Sequence, residues 1–177
     1  MFSKVLIIGP PRCGKSTLIT KLISYYKSMD YGLGGFLTPE ITEAGKRIGF
    51  DIYDIQSDKK LLLARKGNYH TKYKLGNYSI FIEEFNNYLN ELKSRSLETL
   101  DLLIIDEIGK MELCSQPFIF FLKEVFHSDR KILATIGENL KHPIKRELLD
   151  LPNLTILQLN LNNQQKIYKK IIEFLEI

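Results

Sequence analysis

The chain has 177 residues, 44% of them hydrophobic, and a net charge of +4 from 25 basic and 21 acidic side chains. That apolar content supports a real core and excludes a disordered or fibrous protein, and the length fits one domain, residues 1–177. With only Cys13 and Cys114, neither a disulfide framework nor a thiolate metal cluster can be built.

Val5 to Ile8 is a short continuous apolar run, as a strand buried on both faces would be. The N-terminal stretch around it has too short an apolar run for a signal peptide. Gly9-Pro10-Pro11-Arg12-Cys13-Gly14-Lys15-Ser16 follows and fits G-x-x-x-x-G-K-[ST] without a mismatch. Leu18, Ile19, Leu22, Ile23 and Tyr26 then repeat at helical spacing. A strand before and an amphipathic helix after are the context that a phosphate loop needs. Glycines let the backbone wrap a phosphate with N–H groups pointing inward, and the helix N-terminus adds partial positive charge. Residues Gly9 to Thr17 are therefore nucleotide-binding candidates. Lys15 is placed to reach the β- and γ-phosphates, and Ser16 to ligate magnesium.

Leu33 to Leu37 reads as a second strand, and Ile48, Phe50 and Ile52 alternate with Arg47, Gly49 and Asp51 as a third, after a turn at Gly45. Leu61 to Ala64 is another short strand. No clear helix lies between Gly34 and Leu63, so residues 34–63 are expected to add antiparallel strands. Lys59, Lys60, Arg65, Lys66, Lys72 and Lys74 bunch together, opposed only by Asp58. A solvated face is the plain reading of this stretch; a patch for phosphates or nucleic acid is the sharper one.

Phe81, Phe85, Tyr88 and Leu92 share one helix face. Leu102 to Ile105 is a second apolar strand, ending in Asp106-Glu107. An Asp in this place holds magnesium in phosphate-loop enzymes, and a neighbouring carboxylate can serve as general base to the attacking water. Side chains alternate along a strand, so both acids share a site only if the strand ends there, as is expected. Ser115-Gln116-Pro117 starts a helix. The greasiest stretch, Phe118 to Leu122, is far too short to span a bilayer. Ile132 to Ile136 and Leu154 to Leu159 are further strands, and Ile167, Ile171 and Phe174 mark a last helix. The alternation predicts an α/β fold: a mostly parallel sheet with helices on both faces. A soluble, cytoplasmic protein without membrane contact is expected.

Ile105-Asp106-Glu107-Ile108-Gly109-Lys110-Met111-Glu112-Leu113 resembles the signature of the cancer-related nucleoside-triphosphatase family, which is also well represented among thermophiles. Gly35-Phe36-Leu37-Thr38-Pro39-Glu40, the block Gly45 to Phe50, and Gly76-Asn77-Tyr78 fit it too. The resemblance implies a RecA-like phosphate-loop fold and slow, base-tolerant hydrolysis of nucleoside triphosphates. It also implies that the block Ile105 to Lys110 contributes to the nucleotide site. Family members often carry a valine- or isoleucine-like residue in place of Cys13, and an Asn-Arg pair where this chain reads Asn162-Asn163.

Arg47 and Lys110 are the remaining cations for a transition-state clamp, with Glu40 as a second carboxylate or a partner of Arg47. His70, His127 and His142 show no metal spacing. Two other functions share the phosphate loop: a nucleotide or nucleoside kinase, and a nucleotide-dependent switch or RNA-associated module. No arginine-rich lid of the kind a kinase uses to exclude water is evident, and the basic stretch is the support for the third.

Overall fold

The computed structural model describes residues 4–95 and 97–175. Met1 to Ser3 of the N-terminal reading, and the ends of the 1–177 span, lie outside them. In chain order the elements are β1 (Lys4–Gly9), α1 (Lys15–Lys27), β2 (Leu33–Leu37), β3 (Glu40–Glu43), β4 (Lys46–Asp54), β5 (Lys60–Lys66), β6 (Tyr73–Leu75), β7 (Tyr78–Ile80) and α2 (Ile82–Ser94). Then come β8 (Leu102–Ile108), α3 (Gln116–His127), β9 (Ile132–Gly137), α4 (Pro143–Leu149), β10 (Leu154–Gln158) and α5 (Gln164–Leu175).

The strands form one sheet in the order β10-β1-β9-β8-β2-β4-β5-β7-β6, with β3 on β4. From β10 to β2 every pairing is parallel; from β2 to β6 every pairing is antiparallel. Helices cover both faces. Leu6 and Ile8 of β1 and Leu103 and Ile105 of β8 pack with α2, α3 and α4. Their neighbours Val5, Ile7, Leu102 and Ile104 pack with α1 and α5. Strict alternation of apolar residues to opposite faces is what an internal strand requires, and it explains the uninterrupted apolar runs.

The antiparallel part lies differently from the expected 34–63. β2 belongs to the parallel set, and the antiparallel strands run from Glu40 to Ile80. β6 and β7 have three residues each, too few to show a period of two in sequence. β2 approaches β8 closely at Gly35, whose φ is +100°. A Cβ there would sit 1.9 Å from the Ile104 carbonyl oxygen, so only glycine fits. α3 starts as expected: Ser115 caps it, accepting from the Phe118 N–H at 3.0 Å, with Pro117 in the first turn. Among the described residues no helix is long and apolar enough to cross a membrane.

Candidate functional site

The site lies at the carboxyl ends of the parallel strands, where open α/β sheets present their ligand-binding loops. β1 ends at Gly9 and the chain turns through the loop into α1. Arg12 (φ +61°) and Gly14 (φ +94°) take left-handed backbone, which closes the turn. Gly14 is also fixed by packing: a Cβ would meet Gln164 Nε2 at 2.4 Å, and that amide donates to the Cys13 carbonyl at 2.9 Å. The first residue of α5, on the same face of the sheet as α1, thus braces the loop. Lys15 is buried, and its ammonium donates to the carbonyls of Gly9 and Pro10, each at 3.0 Å. Pro11, Arg12, Ser16 and Thr17 are exposed and Pro10 is half-buried. Cys13 is not at the phosphate-facing surface. Its side chain is 2% exposed and packs among Leu18, Ile19 and Leu159 beneath the loop.

The acidic pair sits two strands away on β8, with β9 between. β8 does not end at Glu107 but continues to Ile108. Ile105 pairs with Ala134 and Ile108 with Ile136, so Asp106 and Glu107 together oppose the single Thr135. This is a two-for-one bulge. Ile105 and Ile108 both pack into the α2–α4 core and flank the two acids. The bulge, rather than a strand end, lets consecutive carboxylates serve one site.

Asp106 is 3% exposed and accepts from the Thr135 hydroxyl at 2.5 Å and from the hydroxyl of Ser16. Burial pushes its pKa up, against the opposing pull of those two hydroxyls and of Lys15. Burial and the charge of Asp106 push Glu107 up, and Lys15 opposes this. The structure therefore brings together Lys15, Ser16, Asp106 and Glu107. Thr38, just past β2, ties the bulge down: its N–H and hydroxyl donate to the Asp106 carbonyl at 2.6 and 3.1 Å, and its hydroxyl accepts from the Glu107 N–H at 3.2 Å.

A third acid joins them. Glu112, in a 3-10 turn after β8, is 4% exposed. Burial and the Glu107 charge push it up to about 8. Gly109 is buried between the two glutamates, and Lys110 is exposed beside it, with no ion pair of its ammonium among the described residues. Arg47 lies on the antiparallel extension. Its guanidinium is held by Glu40 at 2.6 Å and by the Tyr78 hydroxyl at 3.2 Å, and lies over the Phe50 ring. Thus the partner reading of Glu40 is the one seen, and no described contact joins Arg47 to the loop.

Thr135 and Gln164 went unnoticed in the sequence, and Thr38 entered only within the block Gly35 to Glu40, with no role of its own. Thr135 alone left a trace, as the one polar residue inside the run Ile132 to Ile136. The donor set of Ser16 and Asp106 fits a hard cation, one hydroxyl and one buried carboxylate supplying oxygen. Among the described residues no group of three or more His, Cys, Asp or Glu can hold an ion, so such a cation would complete its shell with water and phosphate oxygens.

A family model described as NTPase matches residues 4–172. The chain is 37% identical over 169 residues to the nucleoside-triphosphatase THEP1 of Methanocaldococcus jannaschii, covering 96% of this chain and 95% of that one. It is 34% identical over 177 residues to the protein of the same name from a Thermotoga species, covering 98% and 95%. The crystal structure of THEP1 from Aquifex aeolicus superposes with a TM-score of 0.85 at 29% identity, over 98% of this chain and 99% of that one. The solution structure of a human cancer-related nucleoside triphosphatase gives 0.79 at 29% identity, over 98% and 97%. The α/β phosphate-loop fold expected from the sequence is the fold these neighbours share.

Proposed function

The chain belongs to this NTPase family, and on that premise we propose that it hydrolyses nucleoside 5′-triphosphates to the diphosphate and phosphate with magnesium. The whole chain acts as one unit, in the cytoplasm. The observation that carries the site assignment is the bulge in β8, which puts Asp106 and Glu107 within electrostatic reach of Lys15.

The loop N–H groups from Arg12 to Thr17, which follow the N–H-less Pro10 and Pro11 and open α1, bind the phosphates. Lys15 leaves the carbonyls of Gly9 and Pro10 for the β- and γ-phosphates, a cheap exchange between one set of oxygens and another. Ser16 and Asp106 would hold a magnesium ion, which when bound would offset negative charge on the phosphates. Glu107 accepts a proton from the attacking water. The water oxygen bonds to the γ-phosphorus, the bridging oxygen keeps the electron pair of the broken bond, and the nucleoside diphosphate leaves. Lys110, exposed beside Gly109, is free to swing towards developing charge; Arg47 is engaged elsewhere and contributes less.

Phosphate release from ATP, GTP, CTP and UTP, with and without magnesium and without any acceptor, tests this reading. Release from all four within about one order of magnitude in kcat/KM, and only with the metal, is expected. Triphosphate consumption that requires an acceptor nucleoside or nucleotide, with the phosphoryl group ending on that acceptor and no free phosphate, would make the protein a kinase.

A further inference from the structure

Residues 59–80 carry Lys59, Lys60, Arg65, Lys66, Lys72 and Lys74 and not one Asp or Glu. These six charges exceed the net +4 of the whole chain, so the remainder is net negative. Elsewhere six basic residues, Lys27, Arg47, Lys93, Arg95, Lys123 and Arg146, form ion pairs with carboxylates. None of the six enters a described ion pair. Lys74 donates to the neutral Asn68 side chain, Lys72 lies over the Tyr73 ring at 5.5 Å, and Nη1 of Arg65 is buried with no hydrogen-bond partner.

The fold gathers Arg65, Lys66, Lys72 and Lys74 at one end of the sheet, while Lys59 and Lys60 lie at the other end of β5 beside β4. Arg65, Ser79 and Lys74 are successive cross-strand partners on β5, β7 and β6, and so share a face with about 5 Å between neighbours, while Lys66, in register with Tyr78, belongs to the opposite face and meets Lys74 at the sheet edge. The turn after β5 is tied across that face, since Ser79 Oγ donates to the Gly67 carbonyl at 2.8 Å and accepts from the Tyr69 N–H at 3.1 Å. The Tyr69 ring, in the same turn, is 46% exposed and lies 5.8 Å from the Phe81 ring. Lys66, Lys74, Asn68, Asn77 and Tyr78 line a recess of about 380 Å³, within the range of small-ligand sites. β6 is the edge strand, so nothing in the sheet covers the far side.

We propose that this edge binds single-stranded nucleic acid, with phosphates along Lys66, Lys74 and Arg65 and a base stacked on Tyr69. Unpaired cations grouped at one sheet edge call for a polyanion, and an exposed ring in the adjoining turn calls for an unpaired base, which a duplex withholds. The proposal stands independently of the hydrolysis reading.

The test is fluorescence anisotropy of the full chain with a labelled oligouridylate of about 20 nucleotides. Saturable binding at about 50 mM salt is expected, weakening roughly fifteenfold at about 200 mM if three phosphates are contacted. The double change Lys66→Glu/Lys74→Glu should weaken it about tenfold or more, and Tyr69→Ala about fivefold without altering the salt dependence. The same charge change at Lys169 and Lys170, exposed on α5, should leave affinity within about twofold. Phosphate release by all these variants should match wild type. The proposal is overturned by no saturable binding at low salt, or by equal loss in the α5 variant. Equal competition by a duplex or by anionic vesicles would overturn it as well.

Discussion

Glu107 and Glu112 point carboxylate oxygens at the same side of Gly109. A Cβ on Gly109 would lie 3.0 Å from Glu107 Oε1 and 2.5 Å from Glu112 Oε2. The two acids are thus packed against one backbone position, and the Glu107 charge raises the cost of ionising Glu112. For Glu112, burial first and then Glu107 push the pKa up to about 8. The folded state therefore holds a proton that the unfolded chain releases near pH 4. That contribution to stability is complete below about pH 4 and is lost as pH rises through about 8. Metal-free denaturation midpoints should fall across this window in wild type and fall less in Glu112→Gln. Identical slopes would remove Glu112 from the account.

Gly109→Ala puts a methyl group between the two carboxylates. Turnover should drop at least about tenfold because the general base is displaced. The phosphate loop is untouched, so triphosphate affinity by calorimetry should change little. The overpacking should cost about 1–3 kcal/mol of stability. Wild-type turnover in this variant would show that the position of Glu107 is not critical.

Gly35 and Gly45 both have positive φ, +100° and +73°, yet they should respond differently to alanine. At Gly45 an added Cβ meets nothing within 4 Å, so the cost is the left-handed backbone alone, about 1–2 kcal/mol. At Gly35 the Cβ collides with the Ile104 carbonyl, which lies in the strand that carries the acids. Gly35→Ala should cost about 3 kcal/mol or more by chemical denaturation. Equal losses at the two sites would contradict the close approach of β2 and β8.

Cys13 is 2% exposed and Cys114 is half-buried. In the native protein a maleimide should label Cys114 first, as read by peptide mass spectrometry after a short pulse. Cys13 should react only when the loop or α5 opens. Faster labelling of Cys13 would mean that the loop leaves its packed form readily.

Much of this site is legible in local sequence, and its limits have physical causes. The loop from Gly9 to Thr17 and the pair Asp106-Glu107 are contiguous, so spacing alone finds them. The way the pair shares one site is not local, because the bulge is defined by Thr135 on β9, 29 residues away. Thr38 and Gln164 likewise act on residues far from them in sequence, and no periodicity announces them. Position misled at Cys13, which the motif places among phosphate-facing residues while its side chain turns inward: a Cβ on Gly9 would lie only 2.7 Å from its sulfur. Arg47 illustrates the same limit, since Tyr78, which helps hold it, comes from a three-residue strand too short to foresee.

The central claim is that Glu107 is the base while Lys15, Ser16 and Asp106 hold the phosphates and metal. The direct measurement is turnover of Glu107→Gln beside its affinity for magnesium and ATP. Glutamine keeps the shape and cannot take the proton. Turnover should fall by roughly 10²–10⁴ with affinity within a few-fold of wild type, whereas Asp106→Asn should in addition need more magnesium. Hydrolysis by Glu107→Gln at the wild-type rate would contradict the account and pass the role of base to Glu112.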